Sequence, residues 1–267
     1  MTSTTLPRSD LTPTLTGWIG GAGTPLLLIH GVGLRAEAWG PMLPHLTAHF
    51  RVTAVDLPGH GHSAPLPDGA TLADFTDSSA QTLDTPTRVV GHSMGALIAM
   101  DLAARYPDRI SAIAPLNAIF RRSAAALAAV QQRAAEIASG AQPDPGPTLD
   151  RWFGSDPSGL LKSAKEDCGN WLGTDAPNGY ASAYRIFAYP DGTSDAALAQ
   201  ITCPALFITG ADEPNSTPAM SHALAAHVPH GRAAILPDAR HMMPMTHAKD
   251  VASHLYAFFQ ELTHADT

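Results

Sequence analysis

The apolar residues of this chain fall into short uninterrupted runs separated by longer stretches of mixed polarity. The runs are PLLLIHG at 25–31, RVTAVDLPG at 51–59, TRVVGHS at 87–93, RISAIAPL at 109–116, PALFITG at 204–210 and GRAAILP at 231–237. They are too short for helices and too continuously apolar for strands with one wet face. They therefore predict buried strands of a mostly parallel sheet covered on both sides. Between them the spacing predicts helices near 37–48, 72–82, 94–106, 217–228 and 247–263. The third of these ends at Tyr106, because Pro107 disfavours helical geometry in the residue before it. Alternating strands and helices define an α/β protein.

One region breaks the alternation. From 117 to 202 there is no strong strand pattern, only an alanine-rich helical stretch near 123–139, the breaker cluster SGAQPDPGP at 139–147, and helical pieces near 148–170 and 178–200. A strand-free segment of roughly 85 residues far exceeds an ordinary loop. Residues 117–202 are therefore expected to form a helical cap subdomain, inserted into a core built from 1–116 and 203–267.

Composition narrows the partners. The 267 residues, 45% of them hydrophobic, suffice for one large α/β domain. The net charge is −8 and no Lys/Arg run occurs, which argues against nucleic acid or an anionic membrane and favours a small neutral or apolar substrate. No stretch approaches the roughly 20 apolar residues of a membrane span, and the polar start MTSTTLPRSDLTPTL lacks a leader pattern. A cytoplasmic location is expected. The two cysteines, Cys168 and Cys203, lie in unrelated segments and predict no disulfide, with Cys203 read as a small buried apolar residue. The thirteen histidines, His60 and His62 apart, show no ligand spacing, so no metal is expected.

The strongest chemical signal is Gly91-His92-Ser93-Met94-Gly95, set directly between a strand and a helix. In that context G-x-S-x-G forces a strained turn at the serine, and the flanking glycines let strand and helix approach without side-chain collision. Ser93 is thereby the candidate nucleophile, projected from the sheet's C-terminal edge at a helix N-terminus that favours negative charge. A hydroxyl needs a base to accept its proton. His241, in the loop LPDARHMMPM after the last run, is the candidate. His230 precedes that run, and His247 begins the terminal helix. The acid should follow the preceding strand, where ITGADEPNSTP offers both Asp212 and Glu213. Spacing alone leaves the choice between them open. An oxyanion needs two amide donors. Met94 supplies one, and Val32 in the turn His30-Gly31-Val32-Gly33 is the candidate for the other. Candidate substrate contacts are Gly31 and Met243 near the reacting groups and Trp152, Trp171, Tyr184 and Phe187 in the inserted segment, although aromatic residues more often serve a core. The segment Asp56-Leu57-Pro58-Gly59-His60-Gly61-His62-Ser63 reads as a structural turn, with Asp56 satisfying loop amides.

Together HGVG, DLPGHGHS, GHSMG, ARYPDRI, the acid after TG, and ARHMMP resemble the α/β-hydrolase superfamily. The resemblance runs from about Pro25 to the C-terminus and leaves the inserted segment outside it. It implies an eight-stranded, mostly parallel sheet, a cap over the site and no cofactor. In that family the acid stands three residues after the glycine, often before a proline. Here that position is Glu213, where aspartate is commoner, so the resemblance favours Glu213 over Asp212. Serine as nucleophile separates the chain from relatives that use aspartate, the haloalkane dehalogenases and epoxide hydrolases. The implied activity is hydrolysis of a small carboxylic ester or lactone through an acyl-enzyme on Ser93. One alternative is a carbon–carbon bond hydrolase of aromatic breakdown, whose cationic clamp would draw on Arg121, Arg122 and Arg185. The other is a ligand receptor without turnover.

Overall fold

The structure is a computed structural model describing residues 6–83, 85–142, 144–174, 177–189 and 191–265. Its strands are β1 (Ser9–Asp10), β2 (Thr16–Gly20), β3 (Thr24–Ile29), β4 (Phe50–Val55), β5 (Thr87–His92), β6 (Ile110–Leu116), β7 (Ala205–Gly210) and β8 (Gly231–Leu236). They form one sheet in the order β1-β2-β4-β3-β5-β6-β7-β8. The first two run antiparallel to their neighbours, and every pair from β4 to β8 is parallel. The eight-stranded, mostly parallel α/β-hydrolase sheet is thus present, and its six parallel strands coincide with the six apolar runs.

The antiparallel ribbon left no signal in the sequence pattern. In its longer strand, TGWIG, three of five residues are glycine or threonine, and Ile19 is exposed. It is held by backbone pairing to β4, which needs no apolar pattern.

Helices cover both faces. On one side lie α2 (Leu72–Ala80), α3 (Met94–Arg105) and α9 (Pro218–His227), packed over Leu27, Ile29, Val89, Ile113 and Phe207. On the other lie α1 (Leu43–Leu46) and α11 (Ala248–Ala265), packed over Leu26, Leu28, Val90, Ala114 and Ile208. Successive strand residues alternate between the two cores, which is why each run had to be continuously apolar. Two expectations are corrected. The helix near 37–48 is a 3-10 turn at Ala36–Trp39 and the single turn α1, since Gly40-Pro41 interrupts it. The run at 231–237 is an edge strand, half-exposed along most of its length.

Between β6 and β7 lie α4 (Ala124–Ala138), α5 (Gly146–Phe153), α6 (Gly159–Thr174), α7 (Pro177–Ala188) and α8 (Asp195–Leu198), with no strand among the described residues. This segment meets the core in two places: Ala183 and Ile186 of α7 and Leu198 of α8 join the cluster on the α3 side of the sheet, and α5 and α6 form a separate apolar cluster. Leu149, Phe153, Cys168 and Trp171 pack there against Leu34, Ala38 and Met242. The short α10 (Met243–Thr246) carries the chain from that contact into α11. No helix among the described residues is long and apolar enough to cross a membrane.

Candidate active site

The connections leave the neighbouring strands β3 and β5 in opposite directions, from β3 to β4 on one side and from β5 to β6 on the other. A crevice therefore opens at their C-terminal ends. Ser93 stands there with φ 57° and ψ −114°, a backbone state that side-chain-bearing residues rarely adopt. The surroundings enforce it. A Cβ on Gly91 would overlap the carbonyl of Gly95, and one on Gly95 would overlap that of Ile29. The Ser93 N–H donates to the Leu116 carbonyl at 2.9 Å. Met94 is the first residue of α3, so its N–H has no partner within the helix and points where negative charge is favoured. The turn after β3 passes against the serine: a Cβ on Gly31 would lie 3.0 Å from the Ser93 Cβ and 3.5 Å from its Oγ.

His241 and Glu213 meet across 28 residues of chain. The imidazole Nδ1–H donates to Glu213 Oε2 at 3.1 Å, while Glu213 Oε1 accepts from the N–H groups of Asn215 at 2.8 Å and Ser216 at 3.1 Å. Glu213 is 2% exposed. Burial by itself would push its carboxyl up, but the His241 imidazole and the two amides outweigh it and hold Glu213 below the ordinary value. Asp212 is exposed and its N–H donates to Ala239. Neighbouring residues leaving a strand project to different sides, and only Glu213 faces the imidazole.

The main chain of His241 is pinned as well. Its carbonyl accepts from His92 Nε2 at 2.8 Å and Asn117 Nδ2 at 2.6 Å, and Asn117 Oδ1 accepts from Thr209 Oγ1 at 2.9 Å. Burial, then the neighbouring His241, drives the His92 pKa down to about 3, so His92 stays a neutral donor. Sequence reasoning named neither His92 nor Asn117 for this work. The positive φ of Asn117, 50°, is a feature of the fold that a lone asparagine does not announce.

Ser93 and His241 line one cavity of about 640 Å³, together with Gly31, Val32, Trp152, Tyr184 and Phe187. Trp152 lies on the imidazole face, ring centres 5.3 Å apart and planes 19° from parallel. Two expected contacts lie elsewhere. Trp171 is buried in a cluster that joins the inserted helices to the core, and Met243 is buried beneath the sheet. Met94 is fully buried and can serve the site only through its backbone. Lining residues that sequence reasoning missed include Tyr180, Arg133 and Arg151. The signal was available for α4, where Ala126, Ala129, Val130 and Arg133 share one helix face, and all four line the cavity.

Of the arginines proposed as a clamp, Arg121 pairs with Asp195 at the surface and Arg185 donates to the Ala70 carbonyl. Only Arg122 reaches the cavity, and its guanidinium is engaged by Asp191 at 3.0 Å and the Phe187 carbonyl at 2.9 Å. The segment at 56–63 is structural in its contacts. Buried Asp56 accepts from the N–H groups of Ala36 and His62 and pairs with Arg8, and Ser63 Oγ donates to the Asp56 carbonyl. Both cysteines are free, and burial raises the Cys203 thiol to about 11, which suits an inert packing residue.

A strained serine at a strand-to-helix turn, with a histidine–carboxylate pair in the loops after two later strands, is an arrangement of the α/β-hydrolase fold. The chain matches the Alpha/beta hydrolase family over residues 26–254 and belongs to it. It is 40% identical over 249 residues to the (E)-2-((N-methylformamido)methylene)succinate hydrolase of Acinetobacter baylyi, covering 90% of this chain and 92% of that protein. It is 30% identical over 250 residues to a pimeloyl-acyl-carrier-protein methyl ester esterase of Neisseria meningitidis, covering 88% and 92%. Among solved structures, the enol-lactonase of Burkholderia xenovorans superposes with a TM-score of 0.83 at 26% identity, covering 95% of this chain and all of the other. These relatives are hydrolases, and this chain is a hydrolase of the same family.

Proposed function

We propose that the chain is a serine hydrolase that cleaves an acyl bond of a small molecule, an ester, lactone or activated amide, through an acyl-enzyme on Ser93. The observation that carries this reading is the strained Ser93 in one cavity with a His241 whose Nδ1 is held by Glu213. His241 takes the hydroxyl proton as Ser93 Oγ attacks the acyl carbon, and the amides of Val32 and Met94 hold the resulting oxyanion. The tetrahedral adduct collapses, and the leaving group departs with the proton from His241. Water, deprotonated by the same imidazole, then attacks the acyl-serine and frees the acid. Glu213 fixes the imidazole tautomer and stabilises its charged form.

The inserted helices act as a cap in this reading, with α4, α5 and α7 walling the acyl pocket. The esterase and lactonase relatives support an acyl carbon as the point of attack. The succinate in the name of the 40% identical relative brings carboxylate-bearing compounds into the substrate field. Free Cys168 and Cys203 suit the reducing cytoplasm, which the same reading assigns as its place of action.

The test is hydrolysis of p-nitrophenyl esters from acetate to decanoate by the wild type and Ser93→Ala, with fluorophosphonate labelling of both. Turnover and labelling in the wild type, with a loss on the order of 10⁴-fold or more in the variant, are expected. Undiminished turnover in Ser93→Ala would end the proposal.

A further inference from the structure

The cavity differs in charge from the rest of the chain. The protein carries a net −8, yet the cavity wall holds Arg122, Arg133 and Arg151 against a single acid, Glu136. Glu136 is engaged by Gln132 Nε2 at 3.0 Å, and Arg122 is engaged by Asp191. Arg133 and Arg151 are different. Among the described residues no carboxylate pairs with either. Arg133 rests over the Tyr184 ring at 5.8 Å, and Arg151 donates to the Thr148 hydroxyl at 2.9 Å. They stand on two separate helices, α4 and α5, and line the cavity that holds Ser93 and Trp152, Arg133 half-buried and Arg151 exposed. Tyr184, on a third helix, α7, lies in the field of both. Burial raises its phenol to about 12, and Arg133 and Arg151 each oppose that rise.

We propose that Arg133 and Arg151 form a carboxylate-binding site, which selects acyl substrates bearing a free carboxylate remote from the bond that Ser93 attacks. The proposal rests on the serine-hydrolase reading above for its substrate. It departs from the expectation of a neutral or apolar acyl group, which was drawn from net charge and the lack of a Lys/Arg run. Net charge averages over the surface, whereas recognition depends on the few charges that face the ligand. Two guanidiniums on different helices of one cavity wall can take one carboxylate between them, or one on each of two arms. Ala126, Ala129 and Val130 add an apolar stretch to the same cavity wall, which suits the methylene chain of such a substrate. Because the arginines belong to the inserted helices and the reacting groups to the sheet, carboxylate binding would seat the inserted helices over the nucleophile.

The experiment compares mono-p-nitrophenyl adipate, which keeps a free carboxylate, with its methyl-capped neutral counterpart. It uses the wild type, Arg133→Gln, Arg151→Gln, the double variant and both Arg→Lys variants. The wild type is expected to prefer the free acid by roughly ten- to a hundredfold in kcat/KM, as charge-assisted hydrogen bonds imply. That ratio should fall towards one in the double variant, mainly through KM, with partial recovery in the lysine variants. Raising salt should erode the preference in the wild type. A wild type that prefers the neutral ester, or a preference untouched by the double variant, overturns the proposal. Should no ester be turned over, binding of adipate dianion to the wild type and double variant, followed by calorimetry, separates the two readings. Tighter binding to the wild type keeps the carboxylate site while the esterase reading falls, and equal or absent binding removes the site as well.

Discussion

The sheet edge and the inserted helices contribute to one cavity by different physical means. At the sheet edge, position is fixed through the backbone. Ser93 is held by glycines that admit no Cβ, His241 by two side-chain donors on its carbonyl, and Glu213 by two loop amides. In the inserted helices, position is fixed through side-chain reach. Trp152 is half-buried and Arg151 exposed, and the segment joins the core through Ala183, Ile186 and Leu198 in one apolar cluster and Phe153 and Trp171 in another. On the proposed reading, chemistry that must be placed to within fractions of an ångström sits on rigid strand ends, and recognition on elements that can be re-sequenced without disturbing them.

Parallel replacements at the sheet edge test this contrast most strongly. Glu213→Gln keeps the shape but loses the charge that supports the imidazolium, and kcat should fall on the order of 10³- to 10⁴-fold. Asp212→Asn, one residue away and exposed, should change kcat by less than about twofold. Steady-state kinetics of the two variants would decide it, and equal losses would dismiss the Glu213 assignment.

A smaller effect concerns pH. His92 is neutral in the fold with its pKa driven down to about 3, while in the unfolded chain it returns to its ordinary 6.5. Between those values the unfolded state binds the extra proton, so stability is present above about pH 6.5 and drains away as pH falls towards 3. At pH 5 the loss from this group is about 2 kcal/mol. Glu213, held below its ordinary value, adds to the same trend once pH drops through the carboxylate range. Denaturant titrations at pH 7 and pH 5 should show that loss. It should shrink in His92→Gln, whose amide keeps a neutral donor, and an identical pH response in that variant would contradict the account.

The smallest effect belongs to the inserted helices. Trp152→Ala removes the ring stacked on His241, a contact of about 0.5–1.5 kcal/mol. It should cut kcat/KM roughly three- to tenfold, with Trp152→Phe recovering part of it. A loss as large as that of Glu213→Gln would mean the two regions are not separable in this way.

Much of the architecture was legible along the chain, because a parallel strand buried on both faces must be continuously apolar. All six runs became parallel strands, five of them inside the sheet for that reason, while the sixth, β8, is a half-exposed edge strand. The ribbon at Thr16–Gly20 was hidden because backbone pairing at a sheet edge asks nothing of its side chains. Gly91, Ser93 and Gly95 were legible because a strained turn admits few residue types, and His241 because it follows the last strand. Folding alone decided what depends on direction and distance. Glu213 rather than Asp212 meets the imidazole because consecutive side chains diverge. Trp171 and Met243 turn into packing while Trp152 turns to the site, and Arg133 and Arg151 meet in one cavity although 18 residues and a helix break separate them. Sequence fixes periodicity and permitted backbone states, which are local. Which side chains share a cavity depends on how distant elements pack, and only the tertiary structure sets that.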